Sequence, residues 1–202
     1  MKNQRAVLID LYGQMMIALE TLESCREFSQ FIPEVRTNMV YALPDAQTRN
    51  DVLAIEGRIT VLAGMPYAAG RLRFGASSHM ARLILEIRKF DPSIRAGIDF
   101  ANTPHLSLWL DQYCKENGWI FSAINRANEP IDLREEEGAS MPWKVREVVR
   151  AAGGKVPKIA YETGAVGKEP VSVILGNNPI DISLELCEIA RKYSAFCCNA
   201  HQ

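Results

Sequence analysis

Strand-like and helix-like runs alternate along nearly the whole chain, and this alternation limits the fold more than any other feature of the sequence. Helical spacing comes first. Leu8, Leu11, Met15, Ala18, Leu19 and Leu22 recur every three or four residues and give one apolar face over the first thirty residues, ahead of Pro33. A strand is predicted over 36–43, stopped by Pro44-Asp45, and then a short helix over 50–53 behind a Thr48 cap and before Gly57. A second strand is predicted over 58–63, a Pro- and Gly-bearing connection over 64–70, and a helix over 80–88. That helix is capped by Ser77 or Ser78 and broken by Asp91-Pro92. Strands over 94–100, 119–124, 158–162 and 171–176 and helices over 106–117, 141–152 and 178–193 complete the series. The pattern implies a layered α/β domain.

At 202 residues the chain is long enough to bury a sizeable core. No repeat or low-complexity linker divides it. One domain over 1–202 is expected, with a core over about 8–193 and a loose tail after Tyr193. A net charge of −1 argues against a large electrostatic footprint for nucleic acid, so no direct nucleic-acid partner is expected. No apolar run approaches the roughly 18 residues that span a bilayer, and the N-terminal segment lacks a signal-peptide pattern. No membrane partner and a cytoplasmic location are therefore expected. The five cysteines form no C-x-x-C pair and read as buried or tail thiols rather than metal ligands.

Three segments and one arginine could carry chemistry. Phe74-Gly75-Ala76-Ser77-Ser78-His79-Met80-Ala81-Arg82 places small residues, two hydroxyls and a histidine at a loop-to-helix junction. Free N–H groups at a helix start suit a phosphate, and the same residues also serve as a plain cap beside a surface histidine. Gly164-Ala165-Val166-Gly167-Lys168-Glu169-Pro170 lets backbone approach a ligand and offers a lysine, but it lacks P-loop spacing and reads equally as a hairpin. Glu135-Glu136-Glu137 before Ser140 reads as a solvated turn, or as a magnesium contact for a diphosphate. Arg58 opens a strand after Gly57 and either clamps an anion or pairs with a surface carboxylate. No G-x-S-x-G elbow and no G-x-G-x-x-G fingerprint is present, so neither a hydrolase triad nor a dinucleotide site is supported.

Four blocks in order carry a resemblance: 36–46 (Arg36-Thr37-Asn38-Met39 onward), 74–79, Phe90-Asp91-Pro92-Ser93-Ile94-Arg95, and Gly167-Lys168-Glu169-Pro170. Together they resemble the ThiN-type thiamine-phosphate synthase domain, found mainly in archaea, from about Leu8 to Tyr193. The resemblance implies a three-layer α/β/α fold with a mixed, largely antiparallel sheet, like that of the class II (fuculose-phosphate) aldolases. The βα alternation by itself points to a more parallel sheet. The implied reaction joins 4-amino-5-hydroxymethyl-2-methylpyrimidine diphosphate to 4-methyl-5-(2-phosphoethyl)thiazole, giving thiamine phosphate and pyrophosphate. The implied catalytic residues are Arg58 and His79, and the implied substrate-binding residues are Asn38, Gly75, Ala76, Ser77, Ser78, Gly167, Lys168 and Glu169. No residue is assigned to a metal. Mg2+ is expected as a companion of the diphosphate, held by substrate and water.

Two departures from the family pattern stand out: Val166 occupies a position that is often aromatic, and 95–100 differs from the usual Met-Asn-Ile type. ThiN-like domains also act as thiamine-phosphate sensors behind a helix-turn-helix in transcription regulators. Few residues precede the matching region here, and both Arg58 and His79 are present, which favours the enzyme. An aldolase of the related fold would need a His-rich metal cluster, and the chain has three histidines. The apolar first helix could serve a homo-oligomer interface.

Overall fold

The computed structural model describes residues 2–133, 139–164 and 169–199. Its helices are α1 (Lys2–Glu23), α2 (Ser78–Ile87), α3 (Pro104–Glu116), α4 (Ser140–Ala151) and α5 (Pro179–Asn199). Its strands are β1 (Met39–Ala42), β2 (Val52–Ile55), β3 (Ile59–Leu62), β4 (Met65–Ala68), β5 (Leu72–Phe74), β6 (Ala96–Ala101), β7 (Phe121–Ile124), β8 (Ile159–Glu162) and β9 (Val171–Gly176). Seven strands form one sheet in the order β5-β2-β1-β6-β9-β8-β7, and β3 and β4 make a separate hairpin. Within the sheet only β7 and β8 run parallel, joined through α4; the other neighbours are antiparallel. A parallel pair needs such a crossover helix, whereas antiparallel neighbours do not.

The sheet separates two apolar layers. On one face α1, α3, α5 and the 3-10 turn Arg26–Phe31 bury Leu11, Met15, Phe28, Phe100, Leu110 and Leu186. On the other, α2 and α4 bury Met80, Ile84, Val145 and Val149 against Val40, Ala54 and Leu175. This is the expected three-layer α/β/α arrangement with a mixed, largely antiparallel sheet. Strand β6 shows how alternation builds it: Ile98 and Phe100 belong to the α1/α5 layer, while Gly97 and Asp99 point to α2 and α4. A Cβ on Gly97 would lie 3.1 Å from Ile84 Cδ1, so the glycine lets α2 pack closely on the sheet.

Three local expectations change. Residues 52–53, predicted as the end of a short helix over 50–53, belong to strand β2, which is buried throughout; Arg49–Asp51 forms a 3-10 turn, with its Thr48–Asp51 capping box. Burial of Val52-Leu53-Ala54-Ile55 on both faces of the sheet outweighs local helical preference. The connection over 64–70 contains β4, paired with β3. The chain after Tyr193 continues as helix to Asn199, because Phe196 stacks on His105 and Tyr193 and keeps the last turns docked on α3.

Candidate active site

The turn joining β2 to β3 holds Arg58 at φ +69°, directly after Gly57 at φ +74°. A left-handed conformation is costly for a residue with a Cβ and persists where several bonds fix it. Here the Arg58 N–H donates to Ile55 O (3.3 Å), its carbonyl accepts from Ala69 N (2.8 Å), and Nη1 donates to the carbonyl of Val35. Val35 is itself held: the Glu169 carboxylate accepts from the N–H groups of Glu34 (3.1 Å) and Val35 (2.8 Å). Glu169 thus braces the loop on which Arg58 leans.

Asn38 is buried and spends both ends of its amide on Ile55, donating to its carbonyl (3.0 Å) and accepting from its N–H (3.1 Å). It extends the β1–β2 pairing by one step and fixes the base of the Arg58 turn. Gly75, at φ +72°, turns the chain from β5 into α2, and a Cβ there would come 2.7 Å from Asn50 Oδ1. Ala76 packs beside the α2/α4 core. The Ser77 hydroxyl caps α2 by accepting from Met80 N (3.3 Å), and Ser78 opens the helix half-buried. Gly167 and Lys168, like Glu135, Glu136, Glu137 and Val166, lie outside the described residues.

His79 lines a crevice between α2, α4 and the sheet. Leu83, Ile87, Val145, Val148, Val173 and Leu175 supply apolar walls, and His79, Asp99, Lys144 and Glu162 are the polar groups that line it with them. Crowding by the walls, then the like charges of Lys144, Arg82 and Arg58, push the imidazole down to about 4, against the pull of Glu162. His79 keeps exposure to solvent, is neutral at neutral pH and presents a single N–H donor.

Asp99 is buried. Its Oδ1 accepts from Asn38 N at 2.5 Å. Burial pushes its carboxyl up to about 7, while the Asn38 N–H and the Arg58 charge pull the other way. Arg58 therefore acts electrostatically on both His79 and Asp99. The sheet and α2 bring these residues to one place from segments far apart in the chain.

Behind the crevice lies a buried ion network. Glu162 Oε2 accepts from Lys144 Nζ (2.7 Å) and Arg126 Nη1 (2.9 Å), and Arg126 Nη2 also donates to Glu129 (2.8 Å). Burial alone would raise the Glu162 carboxyl, but Lys144 and Arg126 outweigh it and hold it below its ordinary range. Sequence reasoning singled out none of Asp99, Arg126, Glu129, Lys144 or Glu162. Signals existed for two: Asp99 is a lone charge inside the apolar run Ala96–Ala101, and Lys144 shares a helical face with Met141, Val145 and Val148. Among the described residues, no three of His, Cys, Asp or Glu gather as a cation site.

Known proteins resemble this chain over most of its length. The family model described as thiamine-phosphate synthase ThiN matches residues 14–188. The thiamine-phosphate synthase ThiN of Methanothermobacter thermautotrophicus is 35% identical over 178 residues, covering 88% of this chain and 91% of that protein. The bifunctional thiamine biosynthesis protein ThiDN of Methanocaldococcus jannaschii is 33% identical over 165 residues, covering 81% of this chain and 37% of that longer protein. A crystal structure of the C-terminal domain of phosphomethylpyrimidine kinase superposes with a TM-score of 0.81 at 32% identity, covering 91% of this chain and 97% of that domain. Sequence and fold agree over nearly the same span, and the chain belongs to the ThiN thiamine-phosphate synthase family.

Proposed function

We propose that this protein is a thiamine-phosphate synthase acting in thiamine biosynthesis, and that it condenses 4-amino-5-hydroxymethyl-2-methylpyrimidine diphosphate with 4-methyl-5-(2-phosphoethyl)thiazole. One observation carries the reading: His79 and Asp99 line one apolar crevice, and Arg58 lies within electrostatic reach of both. In this reaction the bond between the pyrimidine methylene carbon and the diphosphate oxygen breaks, and the oxygen leaves with the electron pair. The ring-stabilised cation is captured by the thiazole nitrogen, whose lone pair forms the new C–N bond. No net proton transfer is needed. The protein has to position two rings and stabilise charge on the departing oxygens.

Arg58 supplies a planar cation for those oxygens, carried on a turn that several bonds hold rigid. His79, neutral and at the helix start, donates one hydrogen bond without having to release a proton. Asn38, Gly75, Ala76 and Ser77 act by shaping the backbone that presents these two groups. Ser78 stands beside them as a hydroxyl for a phosphate oxygen. Glu169 positions Arg58 through Val35. Gly167 and Lys168 are assigned to the second phosphate on the family motif alone. Carboxylates at the crevice are already engaged, Glu162 by two cations and Asp99 by Asn38, so the donor set does not fit a resident magnesium ion. Mg2+ would arrive on the diphosphate, held by its oxygens and water.

The test is turnover of the two substrates followed as thiamine phosphate, with Arg58→Ala and His79→Ala as variants. Each should lose roughly 100-fold or more, as removal of a donor to developing negative charge does. Unchanged turnover in both variants would overturn the roles. Tight binding of thiamine phosphate without turnover would place the protein among the ligand-binding members of the family.

A further inference from the structure

Asp99 is a buried carboxyl in the wall of the crevice, and the chemistry above gives it no task. It emerges from the central strand β6, paired in register with Val173 of β9, on the face covered by α2 and α4. Around it Leu83, Val145, Val148, Val173 and Leu175 form apolar walls that suit a flat ring. Its Oδ1 accepts from Asn38 N, and among the described residues its bonded partner is that amide rather than a cation. Glu162, the other carboxylate of the crevice, differs in being shared by Lys144 and Arg126. Keeping a carboxyl in an apolar wall is costly unless its hydrogen-bonding capacity is met. A ligand that brings a donor and an acceptor side by side would meet it.

We propose that Asp99 is the recognition residue for the aminopyrimidine ring, its carboxyl pairing with the exocyclic amino group and the adjacent ring nitrogen. The choice of ring rests on the synthase reading. The amino group donates to one carboxyl oxygen, and one proton is shared between the other oxygen and the ring nitrogen. The two hydrogen bonds form whether that proton sits on Asp99 or on the ring. A carboxyl poised near neutrality by its apolar surroundings is suited to such sharing. The ring then lies among the apolar walls and its methylene substituent points toward His79, which lies within electrostatic reach of Arg58.

Calorimetric titration of the full chain tests this with 4-amino-5-hydroxymethyl-2-methylpyrimidine, which carries no phosphate, and with its counterpart lacking the amino group. The wild type should bind the amino ring about tenfold or more tightly than the other, the loss expected when a buried pair is left unmade. Asp99→Ala should weaken the amino ring about tenfold and abolish the discrimination. Asp99→Asn, whose amide offers the same donor and acceptor, should restore binding to within about threefold. Equal binding of the two rings by the wild type, binding of neither, or no effect of Asp99→Ala overturns the assignment. Turnover is read separately. Ring binding that follows this pattern without turnover defeats the synthase reading and leaves the recognition standing. Turnover with an unchanged KM for the pyrimidine diphosphate in Asp99→Ala defeats the recognition and leaves the synthase.

Discussion

Arg58 occupies a backbone conformation that glycine adopts without steric cost, and this separates its chemistry from its contribution to stability. Arg58→Gly relieves strain of about 1 kcal/mol that Arg58→Ala retains. The glycine variant should therefore melt above the alanine variant in a thermal scan while both lose turnover alike. His79 and Asp99 make opposite contributions to stability as pH changes. The folded chain resists protonating His79 until about pH 4, whereas an ordinary histidine titrates near 6.5, so His79 costs stability as pH falls across that window. Asp99 holds its proton to about pH 7 against an ordinary 3.8, so its contribution is full below about 4 and is lost as pH rises through 7. Denaturant midpoints should show it: relative to Asp99→Asn, the wild type should weaken between pH 5 and pH 8, and relative to His79→Gln it should weaken between pH 6.5 and pH 4.

Helix α4 and strands β7 and β8 form the one parallel crossover of the sheet, and the buried ions lock it. Arg126 and Glu129 follow β7, Glu162 ends β8, and Lys144 projects from α4. The Arg126 and Glu129 side chains are 3% and 2% exposed, so solvent does little to screen the pair. Arg126→Met takes the guanidinium from Glu129 and leaves Glu162 to Lys144 alone, and should cost about 3–5 kcal/mol in urea denaturation, as breaking a buried ion pair from one side does. Lys144→Met should cost less, because Arg126 still neutralises Glu162. A similar brace operates at the other side of the site, where Glu169 ties the chain before β9 to the loop before β1.

Across the whole molecule, the site is only as well placed as the packing of α2 on the sheet. Gly97 sets that distance. Gly97→Ala pushes a methyl against Ile84, Val173 and Leu175 and should destabilise the protein by about 1–3 kcal/mol, read by chemical denaturation. Because His79 rides on the first turn of α2, the same change should lower turnover in proportion to the shift of the helix. Among the described residues no helix is long and apolar enough to cross a membrane. Cys25, Cys114 and Cys187 are buried in the α1/α3/α5 layer.

Much of the architecture was legible from spacing alone. The apolar face of α1, the capped start of α2 at Ser77, and the strands at 96–101, 121–124, 159–162 and 171–176 follow from periodicity and from the residues that punctuate it. Four ordered blocks identified the family. Residues 52–55 were not legible as a strand, because a four-residue apolar run carries no period of its own and its neighbours across the sheet decide its conformation. Strand direction was illegible for the same reason: antiparallel pairing is a choice among distant partners, which local alternation does not encode. Arg58 and His79 could be named from their segments, but only the tertiary structure put His79 on the crevice and brought Arg58 within electrostatic reach of it. Asp99, Lys144 and Glu162 gained significance only when strand register and helix packing brought three isolated charges into the same low-dielectric space. The sequence by itself determined most of the elements and the family. The tertiary structure decided which charges meet, because that depends on long-range pairing and on water being excluded between them.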